Sequence, residues 1–142
     1  MNNETFWKNI EGEKWLERNN NRHKNDSSHE LNYFYDLIDK YNLKTDKILY
    51  IGCSDGTKIN FIKSRYKNSS CYGIDVSEYA ISRAKSKFKD INFHNLSAYN
   101  LDFFDNNMFD LVIYGFCSCY FNKDKLDKIS KDTNNILKKM VV

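Results

Sequence analysis

Between Lys47 and Asp75 the chain changes its hydrophobic period twice, and this limits its folding more than any other feature. Lys47-Ile48-Leu49-Tyr50-Ile51 is a short apolar run closed by Gly52-Cys53-Ser54-Asp55-Gly56. Ile59, Phe61 and Ile62 then fall at helical spacing over about 57–66, and Cys71-Tyr72-Gly73-Ile74-Asp75 is a second apolar run ending on a carboxylate. Nearly continuous apolar strands linked by a helix require a crossover, and crossover connections give parallel sheets buried on both faces. The pattern continues downstream. Ser77 is placed to cap a helix through Phe88 with Ala80, Ile81, Ala84 and Phe88 on one side, and Ile91–His94 is a third, weaker strand. Phe109–Gly115 is a fourth strand, and Asp124–Met140 is an amphipathic helix through Leu126, Ile129, Ile136 and Leu137. The expected fold is α/β: a Rossmann-like parallel sheet with flanking helices, truncated after about four strands. Its ligand crevice should lie at the carboxyl ends of the strands.

Ahead of this unit, residues 3 to about 18 predict a short helix carrying Phe6, Trp7, Ile10 and Trp15. Asn19–Asp26 is polar and predicts a linker. Ser27 with Glu30 forms a capping box for a second helix, whose buried face is Leu31, Phe34, Ile38 and Tyr41. Residues 1–26 are thus an N-terminal helix and linker, and 27–142 a Rossmann-like cofactor-binding domain, together one compact domain. Aromatic residues at 15% exclude a disordered chain. The net charge of +3 is interspersed, and the densest basic run, Arg83–Lys89, is spaced like a solvated helix face, so no nucleic-acid partner is expected. No apolar stretch reaches the roughly 20 residues of a membrane span, and the first residues lack a secretion signal. A cytoplasmic protein with no membrane partner is the expectation. Cys53, Cys71, Cys117 and Cys119 show no CxxC spacing, which predicts reduced thiols and no metal.

The candidate site grows from the same segment. Gly52–Gly56 joins a strand to a helix, where backbone N–H groups are free and the helix dipole is positive. Asp75 follows Gly52 by 23 residues, at the end of the second strand, where a carboxylate can accept from ribose hydroxyls. The same Asp75 could instead cap the helix that Ser77 opens. A dinucleotide loop needs glycine at 52, 54 and 57, and the chain has Gly52, Ser54 and Thr57; a P-loop is absent. The spacing favours a smaller ligand without pyrophosphate.

Ile48–Gly56 resembles the first motif of class I S-adenosylmethionine-dependent methyltransferases, and Tyr72-Gly73-Ile74-Asp75-Val76-Ser77 resembles the second. Phe93–Leu101 is similar to their segment after the third strand, and Phe109–Ile113 to the start of the fourth. At the N-terminus, Phe6-Trp7-Lys8-Asn9, Gly12 and Trp15-Leu16-Glu17-Arg18-Asn19 are similar to the opening of the pseudaminic acid biosynthesis-associated methylases, as is Tyr114-Gly115-Phe116-Cys117 to their later segment. The resemblance implies S-adenosylmethionine as cofactor, held by Trp15, Arg18, Gly52, Cys53, Ser54, Gly56, Asp75, Val76, Ser97, Ala98 and Gly115. In it Arg18 would meet the methionine carboxylate, with Asn19 beside it. The acceptor would be a small molecule, such as a sugar-pathway intermediate.

Three positions depart from the family pattern. Tyr50 stands where an acid is common, Ser54 replaces the middle glycine, and Ser97 replaces an acid that meets the adenine amine. The chain reaches Met140-Val141-Val142 where a fifth strand would begin, which leaves the fourth strand as an open edge inviting a second copy. These departures favour an alternative, a non-catalytic S-adenosylmethionine-binding remnant that acts as an interaction module. No residue declares itself catalytic. His94 is expected to be structural, and Cys117 and Cys119 to be small core-facing thiols.

Overall fold

A computed structural model of the chain describes residues 2–24 and 28–139. It shows four parallel strands, β1 (Lys47–Ile51), β2 (Ser70–Asp75), β3 (Ile91–Asn95) and β4 (Leu111–Tyr114), in the order β3-β2-β1-β4. Ile48 aligns with Cys71 of β2 and with Leu111 of β4, so the strand ends at Ile51, Asp75 and Tyr114 open on one edge of the sheet. Alternation along β1 sends Ile48 and Tyr50 to one face, and Leu49 and Ile51 to the other. The first pair joins a core with Leu31, Ile59, Ile62, Ile81, Ala84 and Phe93, and the second a core with Leu101, Phe104, Phe109 and Ile136. Burial on both faces is why these strands are so apolar in sequence.

The helices that make those cores are α3 (Asn32–Lys40), α4 (Thr57–Arg65) and α5 (Glu78–Lys87) on one side, with α6 (Leu126–Ile136) and a 3₁₀ segment, Ala98–Phe103, on the other. As expected, Ser77 caps α5, its hydroxyl accepting from the Ala80 N–H at 3.2 Å. No described helix is long and apolar enough to cross a membrane.

Three expectations need correction. The N-terminal helix is longer than its apolar positions suggest: α1 (Asn3–Phe6) and α2 (Gly12–Lys24) are joined through a π-helical turn, Trp7–Glu11. Most of the expected linker is therefore helical, with residues 25–26 outside the described chain. No proline or glycine interrupts it, and Asn19 bonds back along the helix to the Trp15 carbonyl at 2.8 Å, so polar composition did not end the helix. In the second helix, Ser27 lies outside the described residues, and α3 starts after a 3₁₀ turn, Ser28–Leu31, with no side-chain cap at Leu31. Glu30 instead pairs with Lys58 of α4. The third correction concerns the sheet edge. α6 ends at Ile136, and Leu137 turns extended to pair in parallel with Phe109, where Lys138 N–H donates to the Phe109 carbonyl at 2.8 Å. The approach to β4 is thus flanked, while Leu111–Tyr114 has no second strand neighbour among the described residues.

Candidate functional site

The β1–α4 turn is pinned to β2 from its first residue. The N–H groups of Gly52 and Cys53 both donate to the Ile74 carbonyl, at 2.8 and 3.0 Å. Ser54 follows in a left-handed conformation (φ 50°), which directs its N–H to Asp75 Oδ2 at 2.9 Å. Asp75 Oδ1 accepts from the Ser77 N–H at 2.9 Å, so this carboxylate opens α5, as the capping reading expects, and also ties the glycine turn. Burial raises its pKa above the ordinary carboxylate range, opposed by the N–H groups of Ser77, Ser54 and Val76.

Asp55 was not foreseen. It is buried, accepts from Thr57 N–H and Oγ1 at 3.2 and 2.8 Å, and pairs with Lys87. An acid at the start of α4 is favoured by the helix dipole.

Above these groups lies a cleft of about 460 Å³, within the size range of small-molecule sites. Trp15, Gly52, Cys53, Ser54, Asp75, Val76, Ser97, Ala98 and Gly115 all line it. Its floor is the β1 end from Tyr50 through Asp55, and the N-terminal helix crosses it as a roof through Asn3, Glu4, Trp7, Gly12, Trp15 and Asn19. Gly12 is where the roof meets the sheet: a Cβ there would stand 2.8 Å from Ser77 Cβ and 2.6 Å from the Trp7 carbonyl oxygen. Ser97 Oγ accepts from the Tyr99 N–H at 3.1 Å, and the Tyr99 hydroxyl accepts from the Asn122 N–H at 3.0 Å, which fixes the far wall. The roles of Tyr99 and Tyr120 escaped sequence reasoning, because neither belongs to a periodic element.

Two expected site residues are not brought to the cleft. Arg18 is exposed, is absent from the cleft lining, and bonds to Glu11 seven residues earlier on the same helical face. Gly56, with φ 82°, lies beneath β3, where a Cβ would stand 2.6 Å from Phe93 Cζ; this glycine answers to packing rather than to a ligand. His94 does not line the cleft either. It packs on Phe103 and Phe104, with ring centroids 5.1 and 5.9 Å away, and burial lowers its pKa, with Lys85 adding to the effect.

The thiols at the site are protonated. Burial pushes Cys117 up to about 12, with nearby Asp75 adding to the effect, and it holds Cys53 well above its ordinary value. A thiol in that state is a poor nucleophile. Tyr50 is likewise a neutral phenol, raised by burial and by the adjacent Cys117 and Cys53. No cluster of three or more metal-ligating side chains occurs among the described residues.

A parallel sheet with a glycine-bearing β1–α4 turn, a carboxylate ending β2 and a cleft across the strand ends is the layout of a Rossmann-like α/β domain. Residues 48–140 match the methyltransferase domain family, and the chain belongs to that family. Among solved structures, the plantazolicin methyltransferase BamL, crystallised with S-adenosylhomocysteine and a triazolic desmethyl-plantazolicin analogue, superposes with TM-score 0.75 at 24% identity, over 96% of this chain and 51% of BamL. An S-adenosylmethionine-dependent methyltransferase from Clostridium acetobutylicum gives TM-score 0.71 at 21% identity, over 89% and 53%. The PH0226 protein from Pyrococcus horikoshii gives 0.68 at 25%, over 80% and 54%. The chain therefore spans about half the length of these structures. No curated protein sequence matches it.

Proposed function

We propose that the cleft binds S-adenosylmethionine and that the chain serves methyl transfer to a small-molecule acceptor. The observation that carries this reading is Asp75, a carboxylate held by two backbone N–H bonds in the same cleft as Gly52–Ser54, Ala98 and Gly115. The residues present fit the cofactor. A carboxylate offers about four lone-pair directions, more than the backbone N–H groups around Asp75 use, which leaves it able to accept from a ribose hydroxyl. Ala98 opens a 3₁₀ segment, where an N–H has no intrahelical acceptor and is free for a base edge. When bound, S-adenosylmethionine would supply an activated methyl group on its sulfonium sulfur. The chain's part is to bind and orient: Asp75 holds the ribose, the Gly52–Ser54 turn lies under the ligand, and Trp7 and Trp15 exclude water from above. The resemblance of the N-terminal segment supports a sugar-pathway intermediate as acceptor.

A second reading, a non-catalytic binder, is favoured by Ser54 and Ser97 in place of the family's usual glycine and acid. Calorimetric titration with S-adenosylhomocysteine, with NAD as control, tests the first step. Micromolar binding of S-adenosylhomocysteine alone is expected, and Asp75→Ala should weaken it about tenfold or more, about 1.4 kcal/mol. Equal affinity in the variant would remove Asp75 from the site, and no binding by the wild-type chain would end the cofactor reading.

A further inference from the structure

The β4 side of the cleft, away from Asp75, has a distinct chemistry. Trp7 of the roof packs against Tyr120 with ring centroids 4.5 Å apart, and Asn3 Nδ2 donates to the Tyr120 carbonyl at 3.0 Å. Among the described residues, four carboxylates line the cleft against one cationic side chain, Lys58. Three of the four are engaged: Asp75 by backbone N–H groups, Asp55 by Lys87 and Thr57, and Glu30 by Lys58 itself. The fourth, Glu4, is half-buried one turn before Trp7 on the same helix face, and its carboxylate has no hydrogen-bond or ion-pair partner among the described residues. An acid one turn from Trp7, whose ring touches Tyr120, puts a negative charge and two aromatic rings on the lining of one cleft, groups that together attract an organic cation.

We propose that Glu4, Trp7 and Tyr120 form the acceptor subsite and that it takes an ammonium group, so that the methyl acceptor is an amine-bearing small molecule. The inference rests on the methyltransferase reading above. It disfavours acceptors carrying phosphate or carboxylate at this corner, since the cleft offers them acids and a lysine already paired.

The test uses the full chain saturated with S-adenosylhomocysteine and three matched probes: 2-phenylethylamine, 2-phenylethanol and 3-phenylpropionate, titrated calorimetrically. The amine is expected to bind about tenfold or more tighter than the alcohol, with the carboxylate weakest. Glu4→Gln should shrink the amine's advantage to about threefold or less while leaving S-adenosylhomocysteine affinity within about twofold, and Glu4→Asp should keep part of the advantage. Equal binding of amine and alcohol overturns the proposal, as does an advantage that survives Glu4→Gln. A roughly tenfold loss of S-adenosylhomocysteine affinity in Glu4→Gln also overturns it, because Glu4 would then serve the cofactor. Failure of the wild-type chain to bind S-adenosylhomocysteine at all is a separate result, which removes the reading beneath it.

Discussion

Ser54 sits where backbone geometry asks for glycine. Its left-handed φ of 50° points the N–H at Asp75, and an L-residue in that region carries strain of about 1–2 kcal/mol. Ser54→Gly relieves that strain but gives the unfolded chain more freedom, so a net gain of about 0.5–1 kcal/mol is expected in urea unfolding. A loss of stability would mean that the serine side chain makes up for its backbone. Gly56→Ala should go the other way, losing about 2 kcal/mol or more, since the left-handed φ is kept and the new methyl meets Phe93. The exchange of glycine for Ser54 was plain in the sequence. That Gly56 faces a phenylalanine of β3 was not, because β3 lies far along the chain and only the fold brings it under the turn.

Among the elements, β1, α4, β2 and α5 were legible almost to the residue, since strands buried on both faces are apolar throughout and Ser77 marks a helix start. The N-terminal helix was legible only in its apolar half, because exposed polar residues neither favour nor stop a helix strongly. The end of α6 was also hidden: Ile136 and Leu137 continue the apolar pattern while the backbone turns extended. A latch explains that turn. The buried Asp110 side chain accepts from Lys47 N–H at 2.8 Å and pairs with Lys138 at 2.8 Å, joining the start of β1, the entry to β4 and the chain beyond α6. Burial alone would raise the Asp110 pKa, but Lys138 and the Lys47 N–H outweigh it and hold the carboxyl below its usual range. A depressed folded-state value means that this stabilisation is complete above the unfolded value, about 3.9, and is lost as pH falls through the folded one. Asp110→Asn should therefore cost about 1–3 kcal/mol at neutral pH. Urea midpoints of wild type and variant should converge below about pH 4, and parallel curves down to pH 3 would rule the latch out.

For the molecule as a whole, the sheet has two edges, β3 and β4, and β4 carries its apolar run Leu111–Tyr114 with no strand beyond it among the described residues. An apolar edge of this kind invites pairing with another strand, which a second copy can supply. Sedimentation velocity is expected to show concentration-dependent dimers, whereas a monomer at every concentration would mean that the edge is closed. The cleft divides in the same way. Its β2 side was legible because a glycine turn and a carboxylate at fixed spacing have few other uses. Its β4 side was not, because Glu4, Trp7 and Tyr120 meet only through the fold.

That meeting sets an order of events. The bond between Asn3 and Tyr120 joins residues 117 positions apart, although the two lie over one cavity. Contacts so distant in sequence form late, after the loop between them has lost its freedom. The sheet and the Asp75 turn depend on nearer partners and come together first. A nascent chain therefore has a floor for its ligand well before it has a roof, and an early ligand would meet an open trough rather than a pocket.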